Sequence, residues 1–337
     1  MKIIASLTLA TVSIMAANLI NTAKEVGLEP IPSSKIELYK IIDDSRNPIT
    51  SKKIELGKKL YFDPRLSKSG IISCNTCHNL GEGGDDGIPA AIGHKWTANP
   101  HHLNSPTVYN AVFFEAQFWD GRAKDLEEQA QGPIQAHPEM AATKGHVEKT
   151  VNSMPTYVDA FKDAYGKDVK VTFEKITDTI GLFERTLVTP APYDDYLNGD
   201  DNAMTTAQKD GLKTFIDKGC ASCHNGISLG KGMNAFNVAA VYKYQNVGDF
   251  KGDINAMVKV PTLRNITQTA PYFHNGKIWS LKETIVEMGR VQLGTKISDA
   301  EAASIEEFFK ALEGRKPVFS IPMLPASTAS TPRPDMN

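Results

Sequence analysis

Two five-residue motifs constrain this chain more than any other feature of its sequence. They are Cys74-Asn75-Thr76-Cys77-His78 and Cys220-Ala221-Ser222-Cys223-His224, and they contain all 4 cysteines of the chain. Cys-x-x-Cys-His is the attachment signature of c-type haem. On a helical turn the thiols and the imidazole share one face, so both thiols can bond the porphyrin while the histidine reaches the iron. The motifs predict two covalent haem c groups. The attachment residues are Cys74, Cys77, Cys220 and Cys223, and the axial ligands are His78 and His224.

Other uses of a Cys-x-x-Cys pair explain these motifs less well. A thioredoxin-like redox pair or a zinc site does not require a histidine directly after the second cysteine. No cysteine remains outside the two motifs. We therefore expect no disulfide, even in an oxidising compartment.

The N-terminus has the layout of an export signal. Lys2 is followed by an uncharged run of 15 residues, from Ile3 to Ala17. A positive charge before a short apolar run is typical of a secretory signal, whereas a membrane span needs about 20 apolar residues. We predict a signal peptide over residues 1–23, with cleavage after Ala17 or Ala23 left open. The mature protein is predicted to be periplasmic, with no membrane span.

Composition limits the domain count and the classes of partner. A chain of 337 residues fits two domains of roughly 100–200 residues each. It has 37 lysines and arginines against 39 aspartates and glutamates, a formal charge of −2. A nucleic-acid-binding protein usually carries a basic excess, so no nucleic-acid partner is expected.

The two motifs lie inside an internal repeat. Each is preceded by a helical pattern with glycine at its fifth position and an aromatic residue at its ninth, which are Gly57 and Tyr61 in one copy and Gly211 and Phe215 in the other. An amphipathic helix closes each half, because apolar residues recur there with helical spacing. The closing positions are Ile180, Phe183, Leu187 and Ile305, Phe308, Leu312.

The repeat predicts a mainly α protein with two cytochrome c-like haem domains and long irregular loops. Thr205-x-x-Gln208 and Ser298-x-x-Glu301 are capping boxes that mark helix starts in the second half. Pro190 and Pro192 interrupt helix and mark the boundary between halves. The end of the chain is rich in Pro, Ser and Thr, which predicts a mobile tail. The predicted ranges are 24–189 for the first domain, 190–315 for the second and 316–337 for the tail.

Spacing does not select the ligand on the other side of each iron. Met with His raises a haem potential, whereas an open position gives different chemistry. For the first haem the candidates are His94, His101, His102, His137, His146, Met140 and Met154. For the second they are Met233, Met257, Met288 and His274.

Longer segments, spread over residues 35 to 315, resemble a known family. They are Asp63-Pro64-Arg65-Leu66-Ser67, Ile92-Gly93-His94-Lys95-Trp96, Asn104-Ser105-Pro106-Thr107, Gln117-Phe118-Trp119-Asp120-Gly121-Arg122, Ala270-Pro271-Tyr272-Phe273-His274-Asn275-Gly276 and Glu287-Met288-Gly289. Together they resemble the bacterial di-haem cytochrome c peroxidases. The resemblance implies that His94 is the sixth ligand of a peroxidatic first haem and that Met288 lies opposite His224. A thioether favours ferrous iron, so the second haem would store an electron.

The resemblance also assigns residues around the two haems. Glu139 matches the distal acid–base residue, and Gln129 matches a neighbouring amide that orients peroxide. Trp119 matches the aromatic residue between the haems. The family's calcium ion would take the Asn104 side chain and the Thr269 and Pro271 carbonyl oxygens, which are the hard ligands that calcium prefers.

The activity implied is reduction of hydrogen peroxide to water. The two electrons would come from a small cytochrome c or a copper protein, and the family implies a homodimer. In many members, reduction of the second haem releases the distal histidine, and the Gly-rich segment 81–87 before His94 is a candidate hinge. One alternative is a di-haem enzyme like the methylamine dehydrogenase maturation enzyme, but that relative has Tyr where this chain has Met288. The other is a di-haem electron carrier, which would need neither Glu139 nor Gln129.

Overall fold

A computed structural model describes residues 19–337 of the chain. The described part is rich in helix with few strands, so the mainly α prediction is confirmed. Its helices are residues 19–25 and α1 (Lys35–Ile42), α2 (Ser51–Phe62), α3 (Cys74–Cys77), α4 (Leu126–Gln129), α5 (Gln131–Gln135), α6 (Lys144–Asn152), α7 (Pro155–Tyr165), α8 (Phe173–Glu184), α9 (Pro192–Leu197), α10 (Thr206–Asp217), α11 (Leu281–Met288) and α12 (Asp299–Lys310). Two antiparallel strand pairs complete it: β1 (Ile92–Gly93) with β2 (Thr97–Ala98), and β3 (Met233–Ala235) with β4 (Met257–Lys259).

A close helix pair stands at the centre of each half, α2 against α8 and α10 against α12. A Cβ at Gly57 would lie 2.3 Å from the Thr179 carbonyl oxygen, and a Cβ at Gly211 would lie 2.1 Å from that of Ser304. Neither contact leaves room for a side chain, so glycine permits the close approach of backbones. The fifth-position glycine of the repeat therefore has the same role in both copies.

The aromatic residue at the ninth position of each repeat also packs in the same way. The Tyr61 ring lies 5.4 Å from that of Phe183, and the Phe215 ring lies 5.3 Å from that of Phe308. Both spacings are typical of favourable aromatic pairs. Each pair joins the helix before a haem motif to the closing helix of the same half.

Both predicted capping boxes are present. The Thr205 N–H donates to Gln208 Oε1 at 2.9 Å, and the Gln208 N–H donates to Thr205 Oγ1 at 3.2 Å. The Ser298 N–H donates to Glu301 Oε2 at 2.9 Å, and the Glu301 N–H donates to Ser298 Oγ at 3.3 Å. These reciprocal bonds fix the starts of α10 and α12, the two packed helices of the second half.

Apolar side chains form two main cores, one in each half. The first contains residues between 56 and 187, and the second contains residues between 193 and 312. The second core also contains Ala23 and Leu28, and the Gly226 N–H donates to the Gly27 carbonyl oxygen at 2.8 Å. The start of the predicted first-domain range, at residue 24, thus packs on the other half.

The tail for which composition predicted mobility packs along the first half. The Phe319 ring lies 6.1 Å from that of Phe62, and Arg65 Nη1 donates to the Pro325 carbonyl oxygen at 2.8 Å. Nearer the end, the Asp335 N–H donates to the Lys68 carbonyl oxygen at 2.9 Å. These contacts anchor a segment whose composition alone offers little periodicity. Each end of the described chain therefore packs on the half that is more distant in sequence.

A buried ion pair joins several segments at the boundary of the two halves. Arg264 and Asp194 have side chains that are 0% and 1% exposed. Asp194 Oδ1 accepts from Arg264 Nη2 at 2.7 Å and from the Ile31 N–H at 2.7 Å. Asp194 Oδ2 accepts from Arg264 Nη1 at 2.9 Å and from the Ala191 N–H at 2.7 Å. Arg264 Nε donates to the Ile227 carbonyl oxygen at 2.6 Å, close behind the second haem motif.

The membrane and export predictions meet the structure only in part. Among residues 19–337, no helix has both the length and the apolar character needed to cross a membrane. The predicted signal peptide covers residues 1–23. Residues 1–18 lie outside the described part of the chain, and residues 19–23 belong to the described helix 19–25.

Candidate functional site

The two cysteine motifs form single helical turns, as their spacing predicts. The first is α3, where the Ser73 N–H donates to Thr76 Oγ1 at 2.9 Å and stabilises the start of the turn. The second is a 3-10 turn, Cys220–Ser222. All the cysteines lie in the described part of the chain, and all are free thiols. Both turns therefore present two thiols and a histidine without a competing disulfide.

The histidine that ends each motif is held in one tautomer. His78 Nδ1 lies 2.9 Å from the Pro106 carbonyl oxygen, and His224 Nδ1 lies 3.1 Å from that of Leu229. Because a carbonyl oxygen only accepts, Nδ1 must carry the proton in both rings, which leaves Nε2 with a free lone pair. Burial lowers the pKa of both imidazoles and keeps them neutral. A buried neutral imidazole oriented by a carbonyl suits an iron ligand.

Each motif opens onto a cavity. The first cavity brings the His78 motif together with the predicted acid–base residues; among its lining residues are Cys77, His78, Gln129, Glu139 and Trp119. The second cavity brings together both sides of the predicted His/Met pair; among its lining residues are Cys220, Cys223, His224, Met288 and Trp119. The structure therefore brings His78 into one cavity with Glu139 and Gln129, and His224 into another with Met288.

His94 lies beside the first cavity but not among the residues that line it. Its N–H donates to the Glu139 carbonyl oxygen at 2.7 Å. The side chain is buried, and neither ring nitrogen has a hydrogen-bond partner. A buried imidazole without partners is costly, so this ring is suited to a ligand that the protein atoms do not provide. Lys95 and Trp96, which follow it, have φ angles of 62° and 59°, a left-handed conformation that is strained for such side chains.

Glu139 and Gln129 approach the first cavity from different segments. Gln129 ends α4, whose first turn is capped by Asp125 Oδ1 accepting from the Glu128 N–H at 2.8 Å. Glu139 follows α5. Burial raises the pKa of the Glu139 carboxyl, and the charges of Arg122 and His101 oppose that rise in part. A carboxyl group with a raised pKa holds a proton more readily than an ordinary one, which is the direction that an acid–base group requires.

Met288 is the last residue of α11 and is followed by a π-helical turn, Gly289–Leu293. Such turns are rare and occur frequently at functional sites. The Met288 side chain packs on a small cluster of Tyr242, Ile278 and Val291. The thioether therefore has a defined position on the wall of the second cavity.

Trp119 lies in the wall that the two cavities share. Its Nε1 donates to the Asn104 carbonyl oxygen at 3.0 Å, and its ring lies 6.3 Å from that of His274. The hydrogen bond and the ring contact fix the indole between the two sites. This position suits either packing or a path for electrons.

The predicted calcium ligands lie close together. Asn104 Nδ2 lies 2.6 Å from the Pro271 carbonyl oxygen, and Asn104, Thr269 and Pro271 all line the second cavity. The nitrogen and oxygen of an amide are interchangeable by rotation, and the other orientation would place Oδ1 beside that carbonyl. As placed, however, this contact is a hydrogen bond from the Asn104 amide to the carbonyl oxygen, so calcium binding by these residues stays a prediction.

Sequence reasoning missed two ionisable side chains of these cavities. Glu184 lines the first cavity, is buried, and its Oε2 has no hydrogen-bond partner. Its signal was a carboxylate four residues after Ile180, on the apolar face of the closing helix. Lys259 lines both cavities and is also buried. It had no signal, because a lysine in a short strand is ordinarily solvated.

Known proteins resemble this chain in sequence and in structure. Residues 51–202 match the family described as di-haem cytochrome c peroxidase. A cytochrome c551 peroxidase of Pseudomonas aeruginosa is 48% identical over 91% of this chain and 90% of its own length. A cytochrome c551 peroxidase of Nitrosomonas europaea is 47% identical over 83% of this chain and 85% of its own length. The crystal structure of a MauG-like protein associated with microbial copper homeostasis shares the fold, with a TM-score of 0.69, at 23% identity over 80% of this chain and 92% of its own.

Proposed function

The chain belongs to the di-haem cytochrome c peroxidase family and is a peroxidase, and on that premise we propose how its residues divide the work. It reduces hydrogen peroxide with two electrons and two protons, giving two molecules of water. The observation that carries the proposal is the shared wall at Trp119, with a His/carboxyl cavity on one side and a His/Met cavity on the other.

The first cavity is the peroxidatic site of this proposal. Cys74 and Cys77 would bond a haem covalently, His78 would bind its iron, and that iron supplies the redox chemistry that cleaves the O–O bond. The Glu139 carboxylate takes a proton from one peroxide oxygen and returns it to the oxygen that leaves, as general acid–base catalysis requires. The raised pKa of Glu139 supports this role. The Gln129 amide orients the peroxide by hydrogen bonding.

The second cavity is the electron-storing site. Cys220 and Cys223 would bond the second haem, and His224 and Met288 would bind its iron. A neutral thioether favours the reduced state, so this site collects electrons that arrive one at a time. Trp119 separates this site from the first cavity, and its fixed indole supports a role in passing electrons between them.

In this scheme His94 would bind the iron of the first haem in the resting enzyme. Its buried ring, whose nitrogens have no hydrogen-bond partner, supports a histidine that alternates between a bound and a released position. The left-handed Lys95 and Trp96 make its loop a strained segment, and backbone strain of this kind is common at active sites and switch regions.

A calcium ion would join the two halves at Asn104, Thr269 and Pro271. Asn104 comes from the first half and the other two from the second, so the ion would fix their relative position. We further propose that the enzyme works in the periplasm, a location that the export-type N-terminus supports. We also propose that it is a homodimer. Its electron donor would be a small cytochrome c or a copper protein.

A redox titration of the mature protein, followed by optical spectroscopy, tests the proposal. We expect one high-potential haem to be reduced first, the other to become high-spin, and peroxide then to reoxidise the half-reduced protein rapidly. High-spin iron already present in the fully oxidised protein would remove the need for His94 to move. Two haems that stay low-spin throughout and do not react with peroxide would make the protein an electron carrier.

A further inference from the structure

Lys259 places an ammonium group in the wall between the two cavities. It ends β4, its side chain is 5% exposed, and its N–H donates to the Trp119 carbonyl oxygen at 2.8 Å. The Nζ atom lies 4.0 Å from the centre of the Phe114 ring. Burial lowers the pKa of Lys259 to about 7. Among residues 19–337, no side chain or carbonyl oxygen accepts a hydrogen bond from this Nζ atom.

The other buried lysines have partners that Lys259 lacks. Lys53 Nζ donates to Asn47 Oδ1 and to the Pro48 carbonyl oxygen, each at 3.0 Å. Lys58 pairs with Glu55 at 2.8 Å. Within residues 19–337 no carboxylate pairs with Lys259. A buried charge without a partner costs several kcal/mol, so a missing anion is the simplest compensation.

The position of Lys259 limits what that anion can be. The residues common to both cavities besides Lys259 are Asn104, Ser105, Pro106, Thr107, Phe114 and Trp119. None of them carries a charge, so Lys259 is the ionisable group of the shared wall. Val258 and Val260, its neighbours along the chain, line only the second cavity, and successive side chains of a strand point to opposite faces, so the Lys259 side chain faces the first cavity. The missing anion therefore belongs to whatever fills the cavity on the His78 side.

We propose that the Lys259 ammonium binds a propionate carboxylate of the haem attached at His78. The proposal rests on the proposed function, because it requires a haem in the first cavity. Haem propionates are carboxylates, and a charge-assisted bond to an ammonium is among the stronger hydrogen bonds. Through its own N–H, Lys259 links that haem edge to the backbone of Trp119. Lys259 is thus a positioning residue that fixes the first haem against the wall facing the second.

The proposed contact has an electrostatic consequence. A positive charge beside the propionate favours the reduced state of the attached iron, because reduction removes one positive charge from the haem. Removal of the ammonium should lower the potential of the first haem and slow the electron transfer that depends on its position. Arginine keeps the charge, so it should keep the potential close to that of the wild type.

The test compares K259M, K259R and the wild type. The variant K53M, which also replaces a buried lysine by an apolar side chain, is the control. Haem content by the pyridine haemochrome assay comes first, then a spectroscopic redox titration. We expect two haems in each protein, a lowered potential of the first haem in K259M alone, and no shift in K53M. Equal potentials in K259M and the wild type, with both haems present, would overturn the proposal. Fewer than two covalent haems in the wild type would instead contradict the proposed function.

A second readout covers the case in which K259M does not fold or bind haem. Resonance Raman bending bands of the haem propionates report their hydrogen bonding and can be recorded in the wild type and K259R. We expect a propionate band of the wild type to shift in K259R, because a guanidinium bonds a carboxylate differently from an ammonium. Identical propionate bands in the two proteins would show that Lys259 does not bind a propionate.

Discussion

The substitution D194N should be among the most destabilising conservative changes in this protein. The Asp194 carboxylate accepts four N–H bonds, two from Arg264 and one each from Ile31 and Ala191. Asparagine keeps one oxygen but turns the other acceptor into an NH₂ group that faces two N–H donors. It also leaves the buried Arg264 guanidinium without a counter-charge.

The magnitude follows from these contacts. Two buried donors without acceptors cost about 1–3 kcal/mol each. Removal of one member of a buried ion pair lowers the free energy of unfolding by about 3–5 kcal/mol. We therefore expect D194N to lower the free energy of unfolding by about 3–5 kcal/mol, a large part of the roughly 5–15 kcal/mol of an ordinary domain.

The adjacent aspartate provides a matched control. Asp195 pairs with Arg315 at 3.1 Å, but these side chains are 37% and 64% exposed. An exposed pair contributes about 0–1 kcal/mol. Guanidinium chloride unfolding of haem-loaded wild type, D194N and D195N, followed by far-UV circular dichroism, separates the two effects. A loss below about 1 kcal/mol in D194N, or equal losses in both variants, would refute the reasoning from the buried bonds.

Three further substitutions test the cavities. E139Q should slow peroxide turnover about 10²–10⁴-fold, the range of general acid–base catalysis, without changing the optical spectra of either haem. Steady-state assays of E139Q, with E115Q at an exposed glutamate as control, measure this effect. Full activity of E139Q would exclude the acid–base role. M288L should keep the packing on Tyr242 but lower the potential of the second haem, and an unchanged redox titration would exclude Met288 as a ligand. Burial raises the pKa of Glu184 to about 8 from its ordinary 4.5, so the folded state binds this proton more tightly than the unfolded chain does. The free energy of unfolding of the wild type should therefore fall as pH rises from about 4.5 to about 8. E184Q, unfolded at pH values below and above this range, should lack that fall. An identical pH dependence of the wild type and E184Q would contradict the prediction.

The sequence predicted those parts of the molecule that depend on local spacing. The cysteine motifs, the capping boxes at Thr205 and Ser298, and the glycines of the repeat act within a few residues or between helices of equal period. Gly57 and Gly211 were visible as a repeated position, and the structure gives their reason, which is contact between helix backbones. Local patterns of this kind are reliable because each position contributes to one helix face.

The remaining features depend on contacts that a local pattern does not contain. Ala23 and Leu28 form an ordinary apolar pair, and nothing in their spacing says which of the two cores they enter. Lys259 ends a strand of three residues, too short for alternation to separate a buried face from a solvated one. Phe319 has no periodic partner at all, since its contact is a ring more than 250 positions earlier in the chain, at Phe62.

The crossed packing of the two chain ends determines the order in which this molecule can be completed. Residues 19–31 are synthesised early, yet their packing surface is made by segments such as Gly226, which emerge much later. The first half, in turn, gains its last partners, Phe319 and Pro325, only when synthesis is almost finished. A cut at the boundary near Pro190 would therefore take from each half a terminal segment that packs on it. The N-terminal segment of the described chain packs on the second half, and the C-terminal segment packs on the first half. The packing of each half is therefore completed only when the other half is present.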